Sequence, residues 1–244
     1  MRLLLINPNT TQALTERLAV SAGKILPPDL ELVSETATSG FPYISSRAEA
    51  QVTGVGVLEM LAQHADGIDA AVIAAFGDPG LHAARELFDM PVTGMSEAAM
   101  IMSLSLGARF AFVTFTRRMV PWYEAQVTAA GLQSRFGGTF VPEAEFQSIE
   151  RVATDLREPL VETCCQAARA ADVLILAGAP IAGLAEEIAG EVPAILIDPI
   201  QAAVLQAAAL CRLHGRGADK GSFARPPAKE STGLSPALAA RFRG

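Results

Sequence analysis

A regular alternation of short apolar runs with longer helical ones constrains this chain more than any other feature. Residues 3–6 precede a helical run over 12–25, residues 30–36 precede 46–65, and residues 69–75 precede 81–88. The runs at 3–6 and 70–75 are continuous in Leu, Ile, Val and Ala, as strands buried on both faces are. Each is followed by enough chain for a crossover helix. This is the βαβ rhythm of a parallel sheet. It continues through a short strand at 91–93, a helix capped by Ser96, a strand at 110–114 and a helix over 120–130. A helix over 152–170, a strand at 172–177, a helix from Leu184, a strand at 194–197 and a helix ending at Leu213 complete the series. With 50% of residues hydrophobic and 18% charged, the chain has the apolar content that doubly covered strands need.

The rhythm also contains an echo. DAAVIAAFGDPGL begins at Asp69 and DVLILAGAPIAGL at Asp172, 103 residues later. Each places an Asp before a buried strand, then a small residue (Ala75, Gly178), a glycine (Gly80, Gly183) and a leucine (Leu81, Leu184) at matching offsets. Apolar strands ending in small residues also recur without duplication. Taken as a duplication, the echo predicts one α/β domain over 1–213 made of two similar lobes, each a parallel sheet flanked by helices, related by a pseudo-two-fold axis. The lobes would comprise about 1–105 plus a C-terminal helix, and about 106–200. From His214 the sequence turns basic and polar, with Pro226 and Pro227 together, so 214–244 reads as an extended tail. Its apolar finish, LSPALAARF, suits docking on its own or a neighbouring subunit, and a frayed terminus reads as well from the same residues.

A formal net charge of −7 disfavours nucleic acid, whose phosphates need clustered Lys and Arg. No apolar run approaches the ~20 residues of a membrane span, and MRLLLINPNT has too short an apolar core for a signal peptide. A cytoplasmic location, a small-molecule substrate and a homo-oligomer are the expectations. The three cysteines, Cys164, Cys165 and Cys211, form no metal-type CxxC and all fall in helical runs, where small buried side chains are expected.

Ligands of open parallel sheets bind outside the carboxyl ends of the strands. That rule selects the loops at Asn7-Pro8-Asn9-Thr10, Ala75-Phe76-Gly77-Asp78, Thr114-Phe115 and Gly178-Ala179-Pro180. Each also has a plain structural meaning. Asn-Pro-Asn-Thr is a turn leading to a helix cap, and Gly-Asp-Pro-Gly is a strong turn in which Asp78 can serve as a cap. His82 follows that turn at a helix start, where a neutral base is favoured, although a packing histidine reads equally well. Glu97 follows Ser96, where a carboxylate suits a helix N-terminus.

INPNTT, FGDPGL, the stretch VTGMSEAAMIMSLSLGARFAFVTFTRRMVPWYE and TGLSPALAA, in this order along nearly the whole chain, resemble the hydantoin/allantoin racemase branch of the aspartate/glutamate/hydantoin racemase superfamily. The resemblance implies a cofactor-independent, metal-free isomerase of two lobes with one cysteine at a strand end in each. One thiolate takes a proton from a carbon next to a carbonyl, and the other thiol returns one on the opposite face. The family cysteines fall on Ala75 and Gly178, the pair already matched by the echo, and neither residue can carry a proton. The resemblance further implies substrate contacts from Asn7, Asn9, Thr10, Tyr43, Ile44, Gly77, Asp78, Glu97, Thr114, Phe115 and Pro180. Relatives often have a second threonine where Phe115 stands, so a more apolar substrate is expected.

Three readings stay open from the residues. A racemase-like enzyme for a small cyclic amide or amino-acid-like substrate has lost a parental cysteine at Ala75. Alternatively, a decarboxylase, lyase or hydrolase of the same superfamily uses non-thiol groups such as Asp78, His82, Glu97 and Tyr43. In the third, the fold is a non-catalytic small-ligand-binding or assembly protein.

Overall fold

The computed structural model describes residues 1–243, and in it the alternation becomes two four-stranded, wholly parallel sheets flanked by helices. The first half runs β1 (Arg2–Asn7), α1 (Gln12–Gly23), β2 (Glu31–Thr36), α2 (Arg47–His64), β3 (Ala70–Ile73), α3 (Leu81–Leu87), β4 (Val92–Gly94) and α4 (Met95–Ser103). The second runs β5 (Phe110–Val113), α5 (Val120–Ala129), β6 (Phe136–Phe140), α6 (Val152–Asp155), α7 (Arg157–Ala167), β7 (Val173–Leu176), α8 (Leu184–Ile188) and β8 (Ile195–Ile197). Two helices follow, α9 (Pro199–Leu213) and α10 (Pro236–Arg241). Strand orders are β2-β1-β3-β4 and β6-β5-β7-β8, so each strand of one sheet has its counterpart in the other.

This equivalence extends to single hydrogen bonds. Asp69 Oδ2 accepts from the Arg2 N–H at 2.6 Å, and the Asp69 N–H donates to the Arg2 carbonyl. In the second sheet Asp172 Oδ2 accepts from the N–H groups of Ala108 (2.8 Å) and Arg109 (3.0 Å), and its own N–H donates to the Arg109 carbonyl. Each Asp thus fastens the start of its central strand to the neighbouring strand. At the other end the Ala74 N–H donates to the Ile6 carbonyl and the Ala177 N–H to the Val113 carbonyl, both at 2.8 Å. Beyond the strand ends, Gly80 and Gly183 take left-handed backbones (φ +79° and +87°) before α3 and α8, a conformation that costs an L side chain roughly 1 kcal/mol or more. The echo in the sequence is therefore a duplication of structure.

β3 and β7 are buried at every residue. Leu3, Leu5 and Val72 of the first sheet share one core with Phe110, Phe112 and Ile175 of the second, and Ile200 and Val204 of α9 join it. The opposite faces pack separately, against α2 and α3 on the first sheet and against α7 and α8 on the second. α9 returns from the end of the second half to pack on β3, β4, α1 and α4 of the first.

Four sequence expectations change. β6 was not anticipated: its FGGTF contains Gly137 and Gly138, which weaken a strand signal, but an edge strand needs a partner on one side only. The helix expected over 152–170 breaks at Leu156, since Pro159 has no N–H for the carbonyl four residues back. The end of the tail is a docked helix of its own chain: Leu238 and Ala239 of α10 are buried on the first lobe, and the Ser235 hydroxyl bonds the Glu59 carboxylate of α2. Ser96 lies inside α4 and caps nothing.

The cap of α4 comes instead from Asp78, 18 residues upstream. Its Oδ1 accepts from the Ser96 N–H at 2.9 Å and its Oδ2 from the Glu97 N–H at 2.8 Å. The carboxylate takes the space beside Gly94 that a Cβ there would fill. Burial pushes the Asp78 carboxyl up to about 7, against the two N–H donors and Arg85, which favour the charge.

Two expectations follow. Leu238 is 2% exposed among Val57, Leu61 and Phe88, so Leu238→Ala should cost about 2–4 kcal/mol in urea denaturation, and a loss within error of zero would mean that α10 does not dock. Asp78 has its pKa raised on folding, so its contribution is full below the ordinary carboxylate range and is lost as pH rises through about 7. Between about pH 5 and about pH 8 the parent should therefore lose stability relative to Asp78→Asn, which cannot ionise. A parent-variant difference equal at both pH values would contradict this.

Candidate active site

The sheet register brings Asn7, Ala75, Thr114 and Gly178 to the carboxyl ends of β1, β3, β5 and β7. All four are buried. Around β1 the polar groups are consumed in building the loop. Asn7 Nδ2 donates to Asn9 Oδ1 (3.1 Å), Thr15 Oγ1 (2.9 Å) and the Thr11 carbonyl (3.3 Å), while Asn7 Oδ1 accepts from the Asn9 N–H (3.2 Å). Asn9 Oδ1 also accepts from the Thr11 N–H at 3.0 Å. The side chains of Asn7 and Asn9, expected to contact substrate, thus have internal partners. Thr114 does likewise, donating its hydroxyl to the Ala177 carbonyl at 2.8 Å and so tying β5 to β7 at their exits.

The Phe41–Ser46 loop crosses from one lobe to the other. The Thr10 N–H donates to the Phe41 carbonyl (2.9 Å) and the Thr11 hydroxyl to the Pro42 carbonyl (2.7 Å), which anchors the loop on the first lobe. Ile44 is buried in the shared core. Tyr43 packs against the cores of both lobes, with its ring 5.9 Å from that of Phe115. Its hydroxyl is buried and has no hydrogen-bond partner among the described residues. Burial first, and then the charge of Glu49, raise its pKa well above the ordinary phenol value, so it remains a protonated donor at neutral pH.

Ala75, two residues past the end of β3, carries only a methyl group and is 7% exposed. Gly178 has φ +139°, and a Cβ built on it would lie 2.7 Å from Phe115 Cε1. Phe115 is 2% exposed, wedged between Tyr43 and the edge-on ring of Phe146. Pro180 is buried in the short turn after Gly178. The three thiols lie elsewhere, in α7 and α9. Burial pushes Cys164 up to about 12 and also raises Cys211, so neither supplies a thiolate near neutral pH.

Two candidates do not join the strand ends. His82 is exposed on the first turn of α3, its ring 5.8 Å from Phe223 of the tail, and Arg85 lies over the same ring. Glu97 is held by Arg85 through bonds of 2.6 and 3.1 Å. With Gly77 and Asp78 they line a separate cavity of about 250 Å³ against Gln126 and Ala129 of α5. Glu97 is there because its partner Arg85 is on α3, the helix that also carries His82. Asp78, directed into the N-terminus of α4, is a helix cap rather than a free base. The residues not anticipated are Trp122 and Tyr123. Trp122 lies against Gly77 where a side chain there would be, and Tyr123 stacks edge-on with Phe76 at 4.7 Å. The adjacent aromatics of VPWYE at a helix start were their only signal.

The geometry has close counterparts. A hydantoin racemase of Paenarthrobacter aurescens is 30% identical over 234 residues, covering 94% of this chain and 99% of that protein. A hydantoin racemase of Pseudomonas sp. (strain NS671) is 30% identical over 236 residues, covering 96% and 95%. The solved structure of an allantoin racemase from Klebsiella pneumoniae superposes with a TM-score of 0.91 at 30% identity, covering 98% of each chain. The description Asp/Glu/Hydantoin racemase matches residues 3–207, and the chain belongs to that family.

Proposed function

We propose that this chain has the site of a cofactor-independent racemase for a small cyclic amide of the hydantoin kind, in a form that lacks the base on the β3 side at Ala75. The observation that carries the reading is the full-length likeness to hydantoin racemases and to an allantoin racemase fold. Hydantoin and allantoin share a five-membered ring with a C–H next to a carbonyl. Removing that proton sends the electron pair to the carbonyl oxygen, and a site for the reaction needs a hydrogen-bond donor there. Tyr43 supports this role: its hydroxyl is buried, protonated and unpartnered, and leaving such a donor unsatisfied costs about 1–3 kcal/mol unless something outside the chain accepts from it. Phe115, Tyr43 and Phe146 make the surroundings apolar, which suits a ring bearing a hydrocarbon substituent.

As written, the chain should bind 5-substituted hydantoins without accelerating their inversion, because Ala75 and Gly178 hold no ionisable group. Ligand-dependent thermal stabilisation would report binding. Ala75→Cys should then introduce exchange of the ring C–H in D₂O, followed by NMR against the parent protein as the uncatalysed control. Binding without any gain of exchange would refute the assignment of position 75. Tyr43→Phe should weaken binding by about threefold to tenfold, the worth of one neutral hydrogen bond, with little change in stability. An unchanged affinity would remove the hydroxyl from the site.

A further inference from the structure

We infer that Phe115 fills the space belonging to a side chain at position 178 and thereby makes this a one-faced site, in which proton exchange at the ring carbon can proceed only from the β3 side. The inference rests on the proposed function for its chemistry, but its steric part stands on the packing around Gly178 alone. Ala75 and Gly178 occupy equivalent ends of β3 and β7 in two sheets of identical strand order. Positions related by a two-fold axis lie on opposite sides of it, so a planar ring between the lobes has one of them on each face. On the Ala75 side a Cβ is already present, on a backbone outside the left-handed region. On the Gly178 side a Cβ would stand 2.7 Å from Phe115 Cε1 and 3.7 Å from Pro180 Cδ, on a backbone at φ +139° that L residues rarely adopt. Phe115 has little room to move aside, since it is 2% exposed with the Tyr43 and Phe146 rings 5.9 and 5.8 Å away. An aromatic ring donates no proton and, when packed like this, keeps water from that face.

The chemistry follows from this asymmetry. In Ala75→Cys the thiolate takes the proton from the ring carbon, forming S–H as C–H breaks, and the C–H electron pair moves to the adjacent carbonyl oxygen. After the thiol exchanges with D₂O, the same sulfur returns a deuteron to the same face as the electron pair moves back. C–H becomes C–D with configuration retained. Inversion requires a donor on the far face, where Phe115 stands.

The test uses an enantiopure 5-substituted hydantoin in D₂O, with deuterium uptake read by NMR and inversion by chiral chromatography, both corrected for the rates with the parent protein. In Ala75→Cys, uptake should outrun inversion by about tenfold or more, the effect of a barrier difference of ~1.4 kcal/mol. In Ala75→Cys/Phe115→Thr, water reaches the far face and the ratio should fall toward one. Equal uptake and inversion in the first variant, or an unchanged ratio in the second, would overturn the inference. A second measurement needs no turnover. Gly178→Ala should lower Tm by at least about 3 °C more in the parent than in a Phe115→Ala background, because only the parent has the ring in the way. Equal losses in the two backgrounds would show that Phe115 does not hold that space. Absence of exchange in Ala75→Cys despite binding would instead count against the proposed reaction, and the Tm comparison would still decide the steric claim.

Discussion

The fastening of each central strand by the aspartate that precedes it is the interaction on which the site depends. Asp69 holds the start of β1, and Asp172 holds the start of β5. A strand that slips by one residue presents every side chain to the opposite face. In a sheet buried on both sides such a slip would also move the strand exit. Because β3 and β7 are locked at their starts, Ala75 and Gly178 emerge at matching points of the two lobes. The glycines that turn the chain into α3 and α8 then repeat the same exit geometry. The duplicated sequence pattern records those two requirements, a carboxylate at the entry and a left-handed residue past the exit.

Within this frame polar groups divide into those that build the site and those left for something else. Asn7, Asn9 and Thr114 spend their hydrogen bonds on neighbouring loops and strands. Asp78 spends both oxygens on the N-terminus of α4, which closes the first lobe. The Tyr43 hydroxyl differs from all of them: it sits where the two lobes meet, and burial keeps its proton on without giving it an acceptor. A stable fold rarely leaves such a group unsatisfied unless a ligand or water completes it. The loop that carries Tyr43 is tied to the first lobe at Phe41 and Pro42 and reaches the second at Phe115, so the donor is also where a lobe-bridging ligand would meet it.

The two strand ends have diverged from their shared plan in different ways. At Ala75 the side chain is a methyl group on a backbone outside the left-handed region. At Gly178 the positive-φ backbone and the Phe115 ring in the space of a Cβ form one unit, so adding a side chain there requires changing its neighbour as well. The family likeness covers nearly the entire length and includes both lobes, yet the chemistry available to this chain depends on these few atoms.

Local pattern was enough to reveal the alternating elements and the parallel sheets, and it pointed to the loops at the strand ends; it left the duplication open until the two sheets showed the same strand order. The elements, sheets and loops follow from apolar runs, turn residues and spacing, which act over a few residues at a time. It was also enough to show that positions 75 and 178 carry no thiol. It could not show that Asp78 reaches forward to cap α4 in place of Ser96, that His82 leans on Phe223, or that FGGTF is an edge strand, because each depends on a partner far along the chain. The role of Phe115 belongs with these. That its ring stands in the space of residue 178 is settled by packing between two strand exits 63 residues apart, which only the folded chain brings within contact.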